Sequence, residues 1–322
     1  MSSENTTQSR VSVVIPLFNA ARYIGQAIDS ALAQSTPVHE IIVVDDGSTD
    51  SPEKALAGYK DKIRYVKTEN RGAAHARNIG IAEARGEYIA FLDADDVWER
   101  EKIEKQLNAL HSKDAALVYC GRVDVDAQGS PLEEFEQSEF PQGEIFTQLI
   151  KTNHISTSSV VLVRKEVVQA LGGFKELQGL KVSEDFELWC RIALRHTIAA
   201  VPERLVRYRL HETNISSNIK ESYEGKITAL GELAAECARV KSPEKAIVLL
   251  QCIHKKIADV RLNHAMWLMR EREYEKARNA VALFQSLNQG PLPLKLLLVK
   301  WLPDGLLSAL HTLKSRLYSR KS

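Results

Sequence analysis

Short apolar runs alternate with segments of helical periodicity in the N-terminal part of the chain. The runs are brief, rich in β-branched residues and bounded by turn residues, so they predict strands, at residues 11–15, 40–44, 63–67 and 88–92. Residues 24–32 and 72–84 have the spacing or composition of helices, and Ser51-Pro52 is typical of a helix start. This order predicts an α/β fold with a mostly parallel, Rossmann-like sheet flanked by helices.

The middle of the chain continues with two predicted helices and a further strand. The helices are expected at 99–110 and 184–195, with Ser183 as the candidate N-cap of the second. Residues 205–211 alternate between apolar and polar side chains and predict a strand. Its polar face would carry three basic side chains, Arg207, Arg209 and His211.

The pattern changes beyond about residue 217. Residues 218–290 predict a helical extension, and 291–322 combine Leu at helical spacing with Trp301 and terminal basic residues. The last segment is too short and too charged to span a bilayer, but it is typical of an amphipathic helix at a membrane surface. The alternative is a tail packed on its own domain. The remaining predicted parts are a disordered N-terminus at 1–10 and the α/β domain at 11–217.

Composition and charge narrow the function classes. With 43 basic and 42 acidic residues the net charge is only +1, which argues against a nucleic-acid binder. The four cysteines form no Cys-x-x-Cys pair, so neither a zinc site nor a disulfide framework is supported, and a reducing compartment fits. The polar N-terminus lacks the apolar segment of a secretory signal. These features together predict a cytoplasmic protein.

Carboxylates follow two of the predicted strands at the point where each strand ends. Asp45 and Asp46 close the second strand, and Asp93, Asp95 and Asp96 follow the fourth. Because the carboxyl ends of parallel strands meet at one edge of a sheet, both clusters are expected in one crevice. Such oxygen ligands can hold a hard divalent cation that grips a phosphate. The alternative is an acidic turn in which Asp96 caps the next helix.

A basic and amide-rich helix start, from Arg71 to Asn78, is expected near the same edge. Together with the carboxylates it is typical of a nucleotide diphosphate site with a metal. Neither Gly-x-x-x-x-Gly-Lys nor Gly-x-Gly-x-x-Gly occurs in the chain, so no glycine loop of these types is available to hold phosphates. A cation on Asp95 would neutralise the diphosphate instead.

Short motifs follow one another in a fixed order between about residues 10 and 217. They are Val11 to Asn19, Val43 to Asp50, Arg71-Gly72 with Ala76-Arg77-Asn78, Gly86 to Asp96, Gly172-Gly173-Phe174, Ser183 to Trp189, and Tyr208-Arg209-Leu210-His211. In this order they resemble the family 2 inverting glycosyltransferases of the GT-A fold. The resemblance implies that fold, with the C-terminal helical extension added to it.

The same resemblance implies a role for each motif. Asp46 would contact the nucleotide base, Asp93 the ribose side, and Asp95 the metal that bridges the diphosphate. In many relatives a His at the place of His211 helps to hold the metal or the diphosphate, and imidazole favours manganese over magnesium. The residues expected to line the nucleotide-sugar site are Pro16, Asn19, Asp45, Asp46, Arg71, Arg77, Asp93, Ala94, Phe174, Glu184 and Trp189.

Inverting sugar transfer is one in-line displacement, which needs a base for the acceptor proton and positive charge at the leaving diphosphate. Glu184 and Asp185 lie in the first turn of the predicted helix after Ser183. They could merely complement the helix dipole, which is worth about 0.3–1 kcal/mol each. With the family resemblance, Asp185 is the expected base and Glu184 the weaker candidate.

The predicted function is therefore metal-dependent inverting transfer of a sugar from a UDP- or dTDP-sugar to a saccharide or lipid-linked acceptor. The resemblance places this step in the synthesis of a surface polysaccharide (O-antigen, capsule or exopolysaccharide), at the cytoplasmic face of the inner membrane. A receiver-type signalling domain is the first alternative, but its acidic pair would not follow the second strand. A catalytically silent nucleotide-sugar binding module is the second, and only turnover excludes it.

Overall fold

The chain forms two structural units in a computed structural model, Met1–Ser217 and Asn218–Ser322. The structure describes residues 10–132, 137–212, 219–287, 303, 304 and 307. The segments expected to be a disordered N-terminus and an amphipathic tail lie almost wholly outside these residues. Both expectations therefore stay predictions.

One mixed sheet organises the first unit, with eight described strands in the order β3-β2-β1-β4-β7-β6-β8-β5. The strands are β1 Val11–Leu17, β2 Glu40–Asp45, β3 Arg64–Lys67, β4 Tyr88–Phe91, β5 Val97–Trp98, β6 Leu117–Val125, β7 Val161–Arg164 and β8 Ile198–Arg209.

Helices connect these strands. They are α1 Ile24–Leu32, α2 Pro52–Ala55, α3 Ala73–Glu83, α4 Lys102–Ser112, α5 Phe146–Lys151, α6 Lys165–Ala170 and α7 Glu184–Ala193, with short 3-10 helices at Ala57–Tyr59, Ser158–Val160 and Gln178–Leu180.

The direction of the strands decides which loops meet. Strands β3, β2, β1 and β4 pair in parallel, which confirms the sheet predicted from the β-α-β-α order. Strand β7 runs antiparallel to both β4 and β6, and β8 runs parallel to β6. Strands β6 and β8 therefore point the same way as β1, β2 and β4. The carboxyl ends of all these strands lie at one edge of the sheet, where ligands collect in open α/β sheets.

The core explains why the early strands are continuous apolar runs. Val13, Ile42 and Ala90, on neighbouring strands, are each 0% exposed, as expected for parallel strands covered on both faces. Helix α3 packs closely on this sheet at Gly80. A Cβ atom at this position would lie 2.2 Å from Val14 Cγ1, so only glycine fits. Because α3 follows the carboxyl end of β3, its start lies at the carboxyl edge of the sheet.

Two local predictions were wrong. The helix expected at 99–110 begins at Lys102, and the short strand β5 lies between it and Asp96, so Asp96 does not cap it. Ser183 does precede α7, but its side chain makes no capping hydrogen bond. The paired Gly172 and Gly173 follow α6 with φ of 76° and 70°, which is typical of a helix C-terminus.

The second unit contains three described helices, α8 Ile219–Cys237, α9 Pro243–Arg270 and α10 Tyr274–Leu287. Helices α9 and α10 share a buried cluster that includes Ala265, Ala277 and Phe284. Among the described helices of either unit, none is long and apolar enough to cross a membrane.

Candidate active site

The loop after β4 forms the centre of the site. The Asp93 carboxylate accepts hydrogen bonds from Arg77 Nη2 at 2.8 Å and from Thr157 Oγ1 at 3.2 Å. The main-chain N–H of Asp93 donates to Ser159 Oγ at 3.0 Å. The first acid of the motif is therefore fixed by a helix on one side and by the segment before β7 on the other.

Asp95 and His211 come together at this edge, from the ends of β4 and β8. Their Oδ2 and Nε2 atoms are 2.9 Å apart, and both side chains keep some solvent exposure, 24% and 13%. The Tyr23 ring stacks on the imidazole with centroids 5.2 Å apart. Burial and the nearby Asp93 raise the pKa of Asp95, partly offset by His211.

A divalent cation fits this pair of donors. Asp95 Oδ2 and His211 Nε2, which contact each other at hydrogen-bonding distance, would be the two protein ligands of the cation. Carboxylate oxygen and imidazole nitrogen also suit Mn²⁺ or Mg²⁺, Mn²⁺ better because of the nitrogen. No group of three or more His, Cys, Asp or Glu side chains able to hold a metal occurs within the described residues. The other ligands would therefore have to come from a bound diphosphate and water.

The Asp96 side chain supports the structure of the site and does not cap a helix. Its side chain is 0% exposed, accepting from Ser159 Oγ at 2.6 Å and from the Arg209 main-chain N–H at 3.1 Å. Burial raises the pKa of Asp96 well above its ordinary value. Through Arg209, this carboxyl group connects the end of β8 to the acidic loop, residues 92–96 after β4.

Arg209 does not point into the crevice, although its neighbour His211 does. Its Nε donates to the Asp95 carbonyl oxygen at 2.9 Å, and its guanidinium lies 4.9 Å from the Tyr23 ring centroid. At 3% exposure it supports the acidic loop from behind. Arg207, on the same predicted face, is paired with Glu99 at 2.7 Å.

Arg77 links the acidic loop to α7. This side chain is 6% exposed, and its guanidinium reaches Asp93 at 2.8 Å and Glu184 at 2.9 Å. Burial lowers the pKa of Arg77, but the surrounding carboxylates outweigh that effect and raise it above the ordinary value. The guanidinium therefore stays charged and pairs with both carboxylates.

Asp185 is a carboxyl group whose pKa lies near neutral pH. Burial first, and then the neighbouring Glu184, raise the pKa of Asp185 to about 7. Its Oδ1 accepts from the Phe186 main-chain N–H at 2.6 Å. Val182, three residues earlier, has φ of 67°, a strained value for a β-branched residue. Strain of this kind clusters at functional sites.

The turns after β1 and β2 carry the residues that the sequence predicts for the nucleotide end of the site. Asp46 accepts from the main-chain N–H groups of Arg71 at 2.9 Å and Gly72 at 2.7 Å. Asn19 has φ of 50° and its Oδ1 accepts from the Thr49 N–H at 2.8 Å. Pro16 lies in β1 just ahead of this turn and is partly exposed, and Ala94 lies in the acidic loop and is 5% exposed.

Asp45, Phe174 and Trp189 were expected to line the pocket but are enclosed by other side chains. Asp45 is 0% exposed and accepts from Tyr65 Oη and from the Ser48 N–H, which shapes the turn after β2. Phe174 and Trp189 are 2% and 1% exposed. Their rings pack against each other with centroids 5.7 Å apart. These side chains support the floor of the site and do not face its opening.

Sequence reasoning missed four residues that hold the site together: Tyr23, Thr157, Ser159 and Glu176. Glu176 contacts Arg71 at 3.1 Å and His75 at 3.0 Å, so it joins the loop before α7 to the start of α3. No periodicity distinguishes these polar residues in the sequence. Only the four consecutive hydroxyl residues from Ser156 to Ser159 form a local signal that could have been followed.

Comparisons with known sequences agree with this geometry. Residues 12–172 match the profile described as Glycosyl transferase family 2. An uncharacterized glycosyltransferase of Rickettsia typhi is 35% identical over 228 residues, covering 69% of this chain and 71% of that protein. The putative teichuronic acid biosynthesis glycosyltransferase TuaG of Bacillus subtilis is 34% identical over 213 residues, covering 65% and 82%.

Solved structures show the same fold. The crystal structure of residues 1–349 of S. aureus TarS in complex with UDP-GlcNAc has a TM-score of 0.64 at 19% identity, covering 89% of this chain and 82% of that one. The mannosyltransferase PcManGT of Pyrobaculum calidifontis, in complex with GDP-Man and Mn²⁺, has a TM-score of 0.53 at 19% identity, covering 96% and 80%. The predicted GT-A architecture is thereby confirmed.

Proposed function

The chain belongs to glycosyl transferase family 2, and from this premise we propose that it transfers one sugar from a nucleoside diphosphate sugar to a hydroxyl acceptor, with inversion and with a divalent metal. One observation carries the proposal. Four parts of the chain meet at the carboxyl edge of one sheet: the loop after β4 with Asp93 and Asp95, the segment after β8 with His211, α3 with Arg77, and α7 with Asp185. That edge is where open α/β sheets bind ligands.

The acidic loop would hold the donor. Asp95 and His211 would bind the cation, and a cation there supplies positive charge to the leaving diphosphate. Asp93, fixed by Arg77 at 2.8 Å, would face the ribose side. Asp46, whose carboxylate orders the N–H groups of Arg71 and Gly72, would shape the base end of the pocket.

Asp185 would act as the general base. A carboxyl group with a pKa of about 7 can accept a proton at neutral pH and is a stronger base than an ordinary aspartate. Glu184 is already paired with Arg77 at 2.9 Å, which makes it the weaker base. Asp185 would take the proton of the acceptor hydroxyl. The oxygen of that hydroxyl would attack the anomeric carbon as the nucleoside diphosphate leaves.

Relatives support the choice of substrates. TarS binds UDP and UDP-GlcNAc, which supports a UDP-sugar, with a dTDP-sugar as the other candidate donor. TuaG bears the name of a surface-polysaccharide pathway, which supports a saccharide acceptor, lipid-linked in our proposal. Residues 291–322 carry the Leu and basic residues that would hold the enzyme at the cytoplasmic face of the inner membrane.

The stereochemistry of donor hydrolysis tests this proposal. An α-linked UDP-sugar is incubated with the protein and MnCl₂ without acceptor, so that water takes the acceptor place. Proton NMR during the first minutes should show the β-anomer of the released sugar before it equilibrates. Initial release of the α-anomer would rule out the single inverting displacement.

A further inference from the structure

The side-chain amide of Asn78 pairs with the main chain of Phe174 at two points. Nδ2 donates to the Phe174 carbonyl oxygen at 2.8 Å, and Oδ1 accepts from the Phe174 N–H at 2.9 Å. Nδ2 also donates to Glu176 Oε1 at 3.0 Å. One side chain of α3 therefore satisfies both main-chain groups of a residue 96 positions away, as a neighbouring strand would.

This pairing requires glycine at the preceding position. Gly173 has φ of 70°, and a Cβ there would lie 2.4 Å from Asn78 Oδ1. The same turn is held from its other side by Arg191, which donates to the carbonyl oxygens of Leu171 at 2.6 Å and Gly173 at 2.7 Å. Arg191 is itself paired with the fully buried Glu187.

Phe174 passes this constraint to α7. Its ring packs edge-on against Phe91 and Trp189, with centroids 5.3 and 5.7 Å apart. Trp189 follows Asp185 by four residues, so both lie on the same side of the helix. The position of Asp185 relative to β4 therefore depends on where Phe174 sits.

We propose that Asn78 is a positioning residue for Asp185, acting through Phe174 and Trp189. This inference rests on the proposed function, since it assumes that Asp185 is the base. The preceding residue, Arg77, holds Asp93 and Glu184. Arg77 and Asn78, adjacent on α3, would thus fix the position of the acidic loop relative to Asp185.

The test uses Asn78→Asp, which keeps the shape but replaces the Nδ2 donor by an oxygen that repels the Phe174 carbonyl and Glu176. Turnover is measured as nucleotide release from the donor, and affinity by calorimetry with UDP and MnCl₂. We expect the turnover rate to fall by roughly 10- to 100-fold with UDP affinity within about threefold of wild type. Asn108→Asp, an exposed change on α4, is the matched control and should leave both unchanged.

A double mutant distinguishes a positioning role of Asn78 from a general loss of folding or stability. In an Asp185→Asn background, adding Asn78→Asp should cost little further turnover, because residues that act as a unit are not additive. Additive losses, or single-mutant turnover equal to that of Asn108→Asp, would overturn the proposal. If Asn78→Asp does not fold, Asn78→Ala replaces it, and failure of both to fold assigns Asn78 to stability alone. Full turnover of Asp185→Asn by itself would instead refute the base assignment.

Discussion

At the scale of single residues, the ionisation of Asp185 is the property with the clearest consequence. Burial and Glu184 raise its pKa to about 7, so the carboxyl group is largely protonated below that pH. A base must be ionised to accept a proton. We therefore expect turnover to fall about tenfold per pH unit below pH about 7, measured as nucleotide release at saturating donor. A rate that stays flat from pH 8 to pH 5.5 would contradict this.

Substitution of Asp185 should separate catalysis from stability. Asp185→Asn keeps the shape but cannot take the proton, so turnover should fall by roughly 10² or more while UDP affinity survives. Glu184→Gln, the matched control, should lose less turnover. Calorimetric affinity and nucleotide release on both variants provide the measurement. Near wild-type turnover of Asp185→Asn would remove Asp185 from the mechanism.

The melting temperature of Asp185→Asn shows whether Asp185 only complements the helix dipole. Because the folded pKa of Asp185 is raised above its ordinary value of 3.8, stability is lost as pH rises towards 7, and the ionised carboxylate lowers stability above that pH. Asp185→Asn should therefore raise the melting temperature at pH 8, and less at pH 5. If the acid only complemented the helix dipole, the substitution would lower stability at pH 8 by about 0.3–1 kcal/mol.

Asp95 provides the test of metal binding. Asp95→Asn removes a charged oxygen ligand next to His211, so calorimetry should show weaker UDP binding in MnCl₂. The difference from wild type should disappear when EDTA replaces the metal, because both proteins then lack it. Equal UDP affinity of the two proteins in MnCl₂ would exclude Asp95 as a ligand.

At the scale of elements, the turn between α6 and α7 can be tested by a pair of neighbouring glycines. Both Gly172 and Gly173 have positive φ, but only at Gly173 would a Cβ meet another atom, Asn78 Oδ1 at 2.4 Å. Gly172→Ala should cost about 1 kcal/mol of unfolding free energy from the backbone alone. Gly173→Ala should cost at least about 1 kcal/mol more, since the Asn78 pairing must also break. Denaturant unfolding measures both, and equal losses would contradict the role of the pairing.

The sequence predicted those elements whose signals are local. The strands β1, β2 and β4 are mostly apolar runs, and the predicted order of β1 to β4 with their helices implied the parallel half of the sheet. Strand β6 was missed because Gly121, Arg122 and Asp124 interrupt its pattern, and β5 because it has only two residues. The start of α4 was misplaced for a different reason. Asp96 looked like a cap, but it is bound by Ser159 and Arg209, whose contacts no local pattern encodes.

Site residues could be predicted where acidic side chains follow a predicted strand or where the sequence matches a family motif. Asp95 and His211 were both named, and the fold brings them within 2.9 Å. The structure was needed to show that Phe174 and Trp189 are buried and that Tyr23 stacks on His211. These are tertiary contacts between residues far apart in the chain. A single sequence carries no signal for them.

At the scale of the whole molecule, the C-terminal segment is the part that we propose to hold the enzyme at a membrane surface. Residues 291–322 combine a Leu stripe with basic residues, which favours binding to an anionic membrane surface. Deleting them should abolish co-sedimentation with liposomes containing anionic lipid while donor hydrolysis is retained. If the truncated protein co-sediments as well as the full chain, the segment has a structural role instead.

We propose that the protein as a whole is a metal-dependent transferase acting on nucleoside diphosphate sugars. The most direct measurement is nucleotide release from a panel of UDP- and dTDP-sugars, each in MnCl₂ and in excess EDTA. We predict that at least one donor is hydrolysed in MnCl₂, that EDTA abolishes the release, and that Asp95→Asn reduces it strongly. Release that is equally fast in EDTA, or no release from any donor by a protein that still binds UDP, would contradict the claim.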